Sequence, residues 1–223
     1  MSVPVITIDG PSGAGKGTIS RLLSQKLGYH LLDSGAMYRL AAVHCDSIGV
    51  DLEREDAVAE HAAKMKVTFK VLGDETRVLL EEQDVTTKIR EERSGMLASK
   101  VAAYPQVREA LLQKQRDFCQ APGLIADGRD MGTVVFPDTP CKFYLSATAE
   151  ERARRRLLQL GESVDNQALY AKVLKDIQAR DAKDMGRESA PLKPAEDAIQ
   201  IDCTSLGIEE VLALVLSQLP QNG

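Results

Sequence analysis

A glycine-rich segment near the amino terminus, IDGPSGAGKGT (residues 8–18), limits the possible folds of this chain more than any other feature. It contains four glycines and follows a short apolar run, Val3 to Ile8. After it come apolar residues at helical spacing, from Ile19 to Leu27. Because glycine weakens regular elements and permits unusual backbone conformations, the segment predicts a tight loop between a buried strand and a helix.

The loop satisfies the pattern Gly-x4-Gly-Lys between Gly10 and Lys16. In a strand–loop–helix context this pattern is typical of a phosphate-binding loop, in which backbone N–H groups and the helix N-terminus bind phosphate oxygens. Lys16 would place its charge on the β- and γ-phosphates. Gly17 stands where a serine or threonine is usual, and Thr18 follows it. Thr18 therefore has two possible partners, a phosphate oxygen or Mg²⁺.

Composition narrows the class of protein. The 223 residues are 43% hydrophobic, which is enough for one domain with an insertion or for two small domains. The net charge of −5 gives no general electrostatic case for nucleic acid binding. We expect no signal peptide and no membrane span, since no apolar run approaches 18 residues. The four cysteines form no Cys-x-x-Cys pair, and we interpret them as reduced thiols of a cytosolic protein.

Apolar runs alternate with segments of helical periodicity along most of the chain. This alternation predicts an α/β fold with a five-stranded parallel sheet and helices on both of its faces. Ser34, directly after the second run, is expected to cap the next helix. The predicted strands cover residues 3–8, 29–32, 123–126, 142–146 and 198–202.

The alternation is interrupted between residues 64 and 103. Val67, Phe69 and Val71 alternate with other residues, and a second strand-like run spans residues 76–80 after a Gly-Asp-Glu turn. This pattern predicts an antiparallel hairpin inside an otherwise parallel fold. We therefore expect a single domain over residues 1–223 that contains an inserted subdomain at about 64–103.

Charged residues mark the end of the third predicted core strand. Asp127 ends that strand at the Walker-B position, where it can hold Mg²⁺ directly or through water. Arg129 follows it at the carboxyl edge of the sheet, where open α/β folds bind ligands. Among the later arginines, Arg154 and Arg155 are better explained as part of a solvated helix face.

A GTPase is excluded, because neither asparagine of the chain precedes a lysine, as the guanine-binding Asn-Lys-x-Asp motif requires.

Several motifs together resemble those of the bacterial cytidylate kinases, and the likeness covers essentially the whole chain. This resemblance implies a P-loop kinase fold whose inserted subdomain binds the nucleoside monophosphate. It also implies Mg²⁺-assisted transfer of a phosphoryl group from ATP to CMP or dCMP. The motifs are GPSGAGKGT, LLDSGAMYR, IADGRDMGTVVFPD, RDAKDMGR and APL, in that order.

The resemblance also implies roles for individual residues. ATP would be bound by Gly10, Pro11, Ser12, Gly13, Ala14, Gly15, Lys16, Gly17 and Thr18. CMP would be bound by Ser34, Arg39, Ser99, Arg108, Arg129, Asp130, Arg180, Asp184 and Arg187. Lys16, Arg129 and Arg180 would act in catalysis. Arg39 and Arg129 would bind the CMP phosphate, while Asp184 and Arg180 would hold the ribose.

Two further expectations concern the protein as a whole. The arginine-bearing segment 154–187 is expected to form a helical lid, because water must be kept from the γ-phosphate. The partners are small nucleotides, and neither nucleic acid nor a membrane is expected. We expect the chain to act as a monomer in the cytoplasm.

Two alternative functions remain open from the sequence. One is a P-loop kinase that phosphorylates a hydroxyl group of a metabolite, although paired arginines and an insertion are not needed for such an acceptor. The other is a regulatory module that binds ATP without turnover. Substituting Lys16 distinguishes a kinase from such a module.

Overall fold

The computed structural model describes residues 3–220, and five of its strands form one sheet in the order β2-β6-β1-β7-β8. These strands are β1 (Val5–Asp9), β2 (His30–Asp33), β6 (Leu124–Gly128), β7 (Cys141–Ser146) and β8 (Ile199–Asp202). Their α/β arrangement confirms the predicted fold class and the five-stranded parallel sheet. The inner strands β1, β6 and β7 are short and mostly buried, as is typical of strands covered on both faces, whereas β8 at the edge is largely exposed.

The chain divides into two compact units. One unit comprises Leu23–Gly128 with the segment up to Val5, and the other comprises Ile6–Leu22 with the segment from Arg129 onward.

In the first unit, β2 pairs in parallel with β6, from His30 opposite Leu124 to Asp33 opposite Asp127. Helix α2 (Ser34–Ser47) begins directly after β2. Its N-cap is Asp33, whose carboxylate accepts a hydrogen bond from the Ala36 amide at 2.9 Å. The prediction that Ser34 caps this helix is therefore wrong. A carboxylate one residue earlier takes the capping position, and the Ser34 hydroxyl donates elsewhere.

The same unit contains a second, antiparallel sheet. It is formed by β3 (Val67–Leu72), β4 (Glu75–Leu80) and the two-residue β5 (Gln83–Asp84). The pairing of β3 with β4 confirms the predicted hairpin, whereas β5 is too short to show a pattern. The surrounding helices are α3 (Glu55–Lys64), α4 (Thr86–Arg90), α5 (Glu92–Val101) and α6 (Pro105–Asp117). The limits 64–103 of an inserted subdomain stay a prediction.

In the second unit, β7 pairs with both β1 and β8. Helix α1 (Lys16–Leu27) starts in this unit at the lysine of the glycine-rich loop. A π-helix occupies Met131–Val135, a feature that periodicity does not reveal. The later helices are α7 (Ala149–Gln159), α8 (Gln167–Met185) and α9 (Ile208–Ser217). Within residues 3–220, no helix is long and apolar enough to cross a membrane.

Candidate active site

The glycine-rich loop leaves β1 through a backbone that only glycine tolerates. Gly10 has φ of +145°, and a Cβ atom there would lie 2.0 Å from the backbone oxygen of Leu145 on β7. Gly13 and Gly15 also have positive φ angles, +82° and +96°. The loop therefore takes a path that glycine adopts without strain, and such a path lets successive backbone N–H groups face an anion.

Lys16 starts α1 and is 6% exposed. Its Nζ donates a hydrogen bond to the Pro11 carbonyl at 3.0 Å, so the side chain lies back across the loop. A buried ammonium needs such a partner. The same flexible side chain can exchange a carbonyl oxygen for a phosphate oxygen without movement of the helix.

Asp9, the last residue of β1, fixes the start of the π-helix. Its two carboxylate oxygens accept hydrogen bonds from the backbone N–H groups of Met131 and Gly132, each at 2.8 Å. The side chain is 4% exposed, and burial raises its pKa to about 7 in spite of these hydrogen bonds. The carboxylate thus ties the strand that precedes the loop to the backbone that follows Arg129 and Asp130.

Three of the predicted CMP-binding residues form one ionic cluster. The buried carboxylate of Asp184, in the last turn of α8, accepts from Nε of Arg129 at 3.1 Å through Oδ2. Its Oδ1 accepts from Nη2 of Arg187. Both guanidinium groups are largely buried. The hydrogen bonds to Asp184 therefore fix the orientation of both guanidinium groups.

Asp130 and Arg180 belong to the same unit. Asp130 is buried at the N-cap of the π-helix, where its carbonyl accepts from the Val134 and Val135 amides. Arg180 is half-buried on α8, one turn before Asp184. The structure therefore brings Arg180 into the neighbourhood of the Asp184 cluster through helical spacing.

Arg152 on α7 is a buried arginine that sequence reasoning missed. Its Nη1 donates to the Ser12 carbonyl of the loop at 3.1 Å, and its Nε donates to the Ala147 carbonyl at 2.9 Å. It also forms a two-point ion pair with Asp181. By contrast, Arg154 and Arg155 pair with Glu151, whose pKa falls to about 2 because these guanidinium groups donate to it.

In the first unit, Ser34 and Arg39 lie on the helix that follows β2. The buried Ser34 hydroxyl donates to Oε1 of Gln115 on α6 at 2.7 Å. Nη1 of Arg39 donates to the Ile89 carbonyl at 2.7 Å. Both polar groups are thus oriented by neighbouring helices.

Arg108 and Ser99 come from α6 and α5. Arg108 is buried, and its Cζ lies 5.6 Å from the centre of the Tyr38 ring, within range of a cation–π contact. Its Nη1 is 3.4 Å from the Ala102 carbonyl, to which it donates. Ser99 is half-buried on α5.

Asp127 on β6 is the candidate magnesium residue. It is buried and lies opposite Asp33 in the register of β2 and β6. Among the residues that the structure describes, no group of three or more histidine, cysteine or acidic side chains could hold a metal ion. Kinase magnesium is held by one or two carboxylates together with substrate phosphates, so the carboxylate of Asp127 near the end of β6 fits it.

Some of the residues missed by sequence reasoning carried a signal. Asp9 ends an apolar strand, as Asp127 does, and Tyr38 follows Ser34 by four residues, which places them on one helix face. Arg152 and Asp181 stand within helices rich in charge, so nothing separates them from their exposed neighbours. Gln115 had no signal at all.

One protein family matches almost the whole chain. The family model described as Cytidylate kinase matches residues 6–221. A protein named Cytidylate kinase from Stutzerimonas stutzeri is 57% identical over 219 residues, covering 97% of this chain and 95% of that protein. Another with the same name, from Photobacterium profundum, is 54% identical over 218 residues, covering 98% and 95%.

Proposed function

The chain belongs to the cytidylate kinase family, and on that premise we propose that it transfers the γ-phosphoryl group of ATP to CMP. The products are CDP and ADP, and dCMP is proposed as a second acceptor. The observation that carries the proposal is the Asp184 cluster, because two guanidinium groups oriented by one carboxylate suit a phosphate-bearing acceptor. An acceptor with only a hydroxyl group would give them nothing to bind.

The glycine-rich loop is proposed to bind the ATP phosphates. Its backbone N–H groups and the N-terminus of α1 would bind the β-phosphate oxygens. The Lys16 ammonium would leave the Pro11 carbonyl for a phosphate oxygen, where it offsets the charge that spreads over the transferred group. Thr18 would contact either a phosphate or the metal.

The acceptor phosphate is assigned to Arg39 and Arg129, and the ribose to Asp184 and Arg180. Transfer in line needs no covalent intermediate with the protein, only placement and charge stabilisation. Arg180 would reach the transferred group as well, and Arg187 would close over the acceptor. Arg129, whose Nε donates to Asp184, would hold the phosphate through its guanidinium group.

The base is assigned to Ser34, Ser99, Arg108 and Asp130. Cytosine presents an amino donor and two acceptors, so its recognition needs both donor and acceptor side chains. Uracil or a purine would leave one of these buried groups without a hydrogen bond, which penalises the wrong base.

Magnesium is proposed as the cofactor, held by Asp127 directly or through water. When bound, it would offset the negative charge of the ATP phosphates. We further propose that the protein acts as a cytosolic monomer. Its four cysteines are free thiols, as is usual in a reducing compartment.

A substrate panel tests the proposed reaction. The purified chain is assayed with ATP, Mg²⁺ and each nucleoside monophosphate, and CMP is expected to give the highest kcat/KM, followed by dCMP. Faster turnover of AMP, GMP or dTMP would defeat the base assignment.

A lysine substitution tests the assignment of the loop. Lys16→Ala is expected to lower kcat by about a thousandfold or more while the fold remains intact. Lys26→Ala is the matched control, because Lys26 is exposed on the same helix. Retained activity in Lys16→Ala would contradict the placement of the γ-phosphate, and an ATP-binding wild type without any turnover would favour a regulatory module.

A further inference from the structure

Arg152 is buried and fully hydrogen-bonded, unlike a typical arginine on a helix surface. It is 4% exposed, and all three of its guanidinium nitrogens donate hydrogen bonds. Nη1 is shared between the Ser12 carbonyl and Oδ1 of Asp181, both at 3.1 Å, while Nη2 donates to Oδ2 of Asp181 at 2.5 Å. Because a planar guanidinium with this many partners has one possible orientation, α7 is held to both the loop and α8.

Close packing at Gly13 is a second, independent sign of this contact. A Cβ atom at Gly13 would lie 3.2 Å from Cβ of Arg152. The absence of a side chain in the loop thus allows α7 to approach its backbone. The hydrogen bond to Ser12 and the contact at Gly13 fall on the two residues of one peptide unit.

The geometry of that peptide explains why the contact matters. A trans peptide is planar, and its C=O and N–H groups point in opposite directions. Since the Ser12 carbonyl points to Arg152, the N–H of Gly13 points away from α7. Arg152 therefore fixes the direction of one of the backbone donors that a phosphate-binding loop uses.

Asp181 links the same arginine to the acceptor side. It stands next to Arg180 on α8 and three residues before Asp184. Leaving a buried arginine without a carboxylate partner strongly destabilises a fold, so Asp181 offsets the charge of Arg152 and holds its guanidinium group in place. The pair connects the loop to the helix that carries two proposed CMP-binding residues.

We propose that Arg152 and Asp181 are positioning residues that orient the Ser12–Gly13 peptide of the ATP-binding loop and fix it relative to α8. Neither residue needs to touch a substrate. The proposal rests on the proposed function only in assuming that this loop binds ATP.

The test measures MgATP binding in the absence of CMP, together with steady-state kinetics. Arg152→Met removes the hydrogen bonds at similar side-chain length and is expected to weaken MgATP binding about tenfold or more. The KM for CMP at saturating ATP is expected to stay within about twofold of the wild-type value. Arg152→Lys should recover part of the ATP affinity, because an ammonium can still donate to the Ser12 carbonyl.

Two further variants keep the outcome interpretable if Arg152→Met folds poorly. Asp181→Asn retains the shape of the partner and should weaken MgATP binding less than Arg152→Met. Arg93→Met is the matched control, because Arg93 also donates to both oxygens of an aspartate, Asp46, but is 68% exposed. It should leave MgATP binding unchanged.

Several outcomes would overturn the proposal. If Arg152→Met lowers the melting temperature and still binds MgATP like the wild type, the contact is purely structural. Equal losses for ATP and CMP would also contradict a role centred on the loop. MgATP binding is measured without turnover. A wild type that fails to phosphorylate CMP would therefore refute the proposed function, whereas the effect of Arg152→Met on MgATP affinity would still test the role of Arg152.

Discussion

The carboxylate of Asp184 holds Arg129 through Nε at 3.1 Å, across 55 positions of sequence. The second carboxylate oxygen of Asp184 accepts a hydrogen bond from Arg187. One aspartate thus orients two arginines, and its own charge offsets part of theirs. The negative charge of Asp184 thereby allows the two positive guanidinium groups to lie close together although both are largely buried.

Removing that carboxylate should affect stability and acceptor binding together. Asp184→Ala is expected to lower the free energy of unfolding by about 3 kcal/mol, because two largely buried guanidinium groups lose their partner. We also expect kcat/KM for CMP to fall about a hundredfold, with a smaller change in the KM for ATP. Denaturant unfolding and steady-state kinetics measure the two effects. Asp176→Ala, an exposed site on the same helix, is the control, and equal effects from both variants would contradict the role of the cluster.

Gly10 should be intolerant of even the smallest side chain. In Gly10→Ala the new Cβ would meet the Leu145 backbone oxygen at 2.0 Å, so β7 or the loop must move. We expect a loss of several kcal/mol in the free energy of unfolding together with loss of ATP binding. Gly28→Ala is a matched control, because Gly28 has φ of +67° with open space around it and should cost only about 1 kcal/mol. Similar melting temperatures for both variants would refute the steric argument.

The raised pKa of Asp9 should give stability an unusual pH dependence. Its folded-state pKa is about 7 and its ordinary value is 3.8. Between these values the folded chain keeps a proton that the unfolded chain releases, so this group makes stability fall as pH rises from about 4 to 7. Above pH 7 both states are ionised and its contribution is constant.

Denaturant unfolding of the wild type and Asp9→Asn between pH 5 and pH 8 isolates this effect, since the other carboxylates are common to both. Asparagine cannot accept from both Met131 and Gly132, so we expect a constant offset as well. The difference in stability between the proteins should shift against the wild type by roughly 1 kcal/mol for each pH unit from 5 to 7, and then level off. A pH-independent difference would show that Asp9 is ionised throughout.

The elements of this fold that repeat a local pattern could be predicted from sequence. Buried parallel strands are uniform apolar runs, and the β3–β4 hairpin has a two-residue alternation, so each needs only a few adjacent residues to be visible. The cap at Asp33 was missed because Asp33 and Ser34 are both good capping residues, and only the partner of Ser34 on another helix decides between them.

Contacts between residues that are far apart in the sequence could not be predicted in the same way. Arg152 and Asp181 are separated by 29 positions, and each lies in a helix where charged residues are common. Burial distinguishes them from Arg154, and burial depends on which face of α7 meets the loop. The family resemblance supplied Arg129, Asp184 and Arg187 as binding residues, whereas their mutual ion pairs come from the fold.

Base discrimination should depend on Arg108. This buried guanidinium lies against the Tyr38 ring, and its Nη1 donates to the Ala102 carbonyl. Arg108→Gln is expected to lower kcat/KM for CMP about tenfold and to narrow the preference for CMP over UMP. Arg116→Gln, exposed on the same helix, serves as the control. An equal loss of kcat/KM for CMP and UMP would show that Arg108 contributes to nucleotide binding in general and not to recognition of the base.

The proposed lid, residues 154–187, should show its motion in hydrogen exchange. Water must be excluded from the γ-phosphate during transfer, so amides of this segment should exchange more slowly when CMP and a non-hydrolysable ATP analogue are both bound. The end of α8 near Asp181 should change least, because its ion pair with Arg152 already fixes it. Exchange followed by mass spectrometry, with α9 as an internal reference, measures the difference. Unchanged exchange throughout 154–187 would mean that the segment is not a lid.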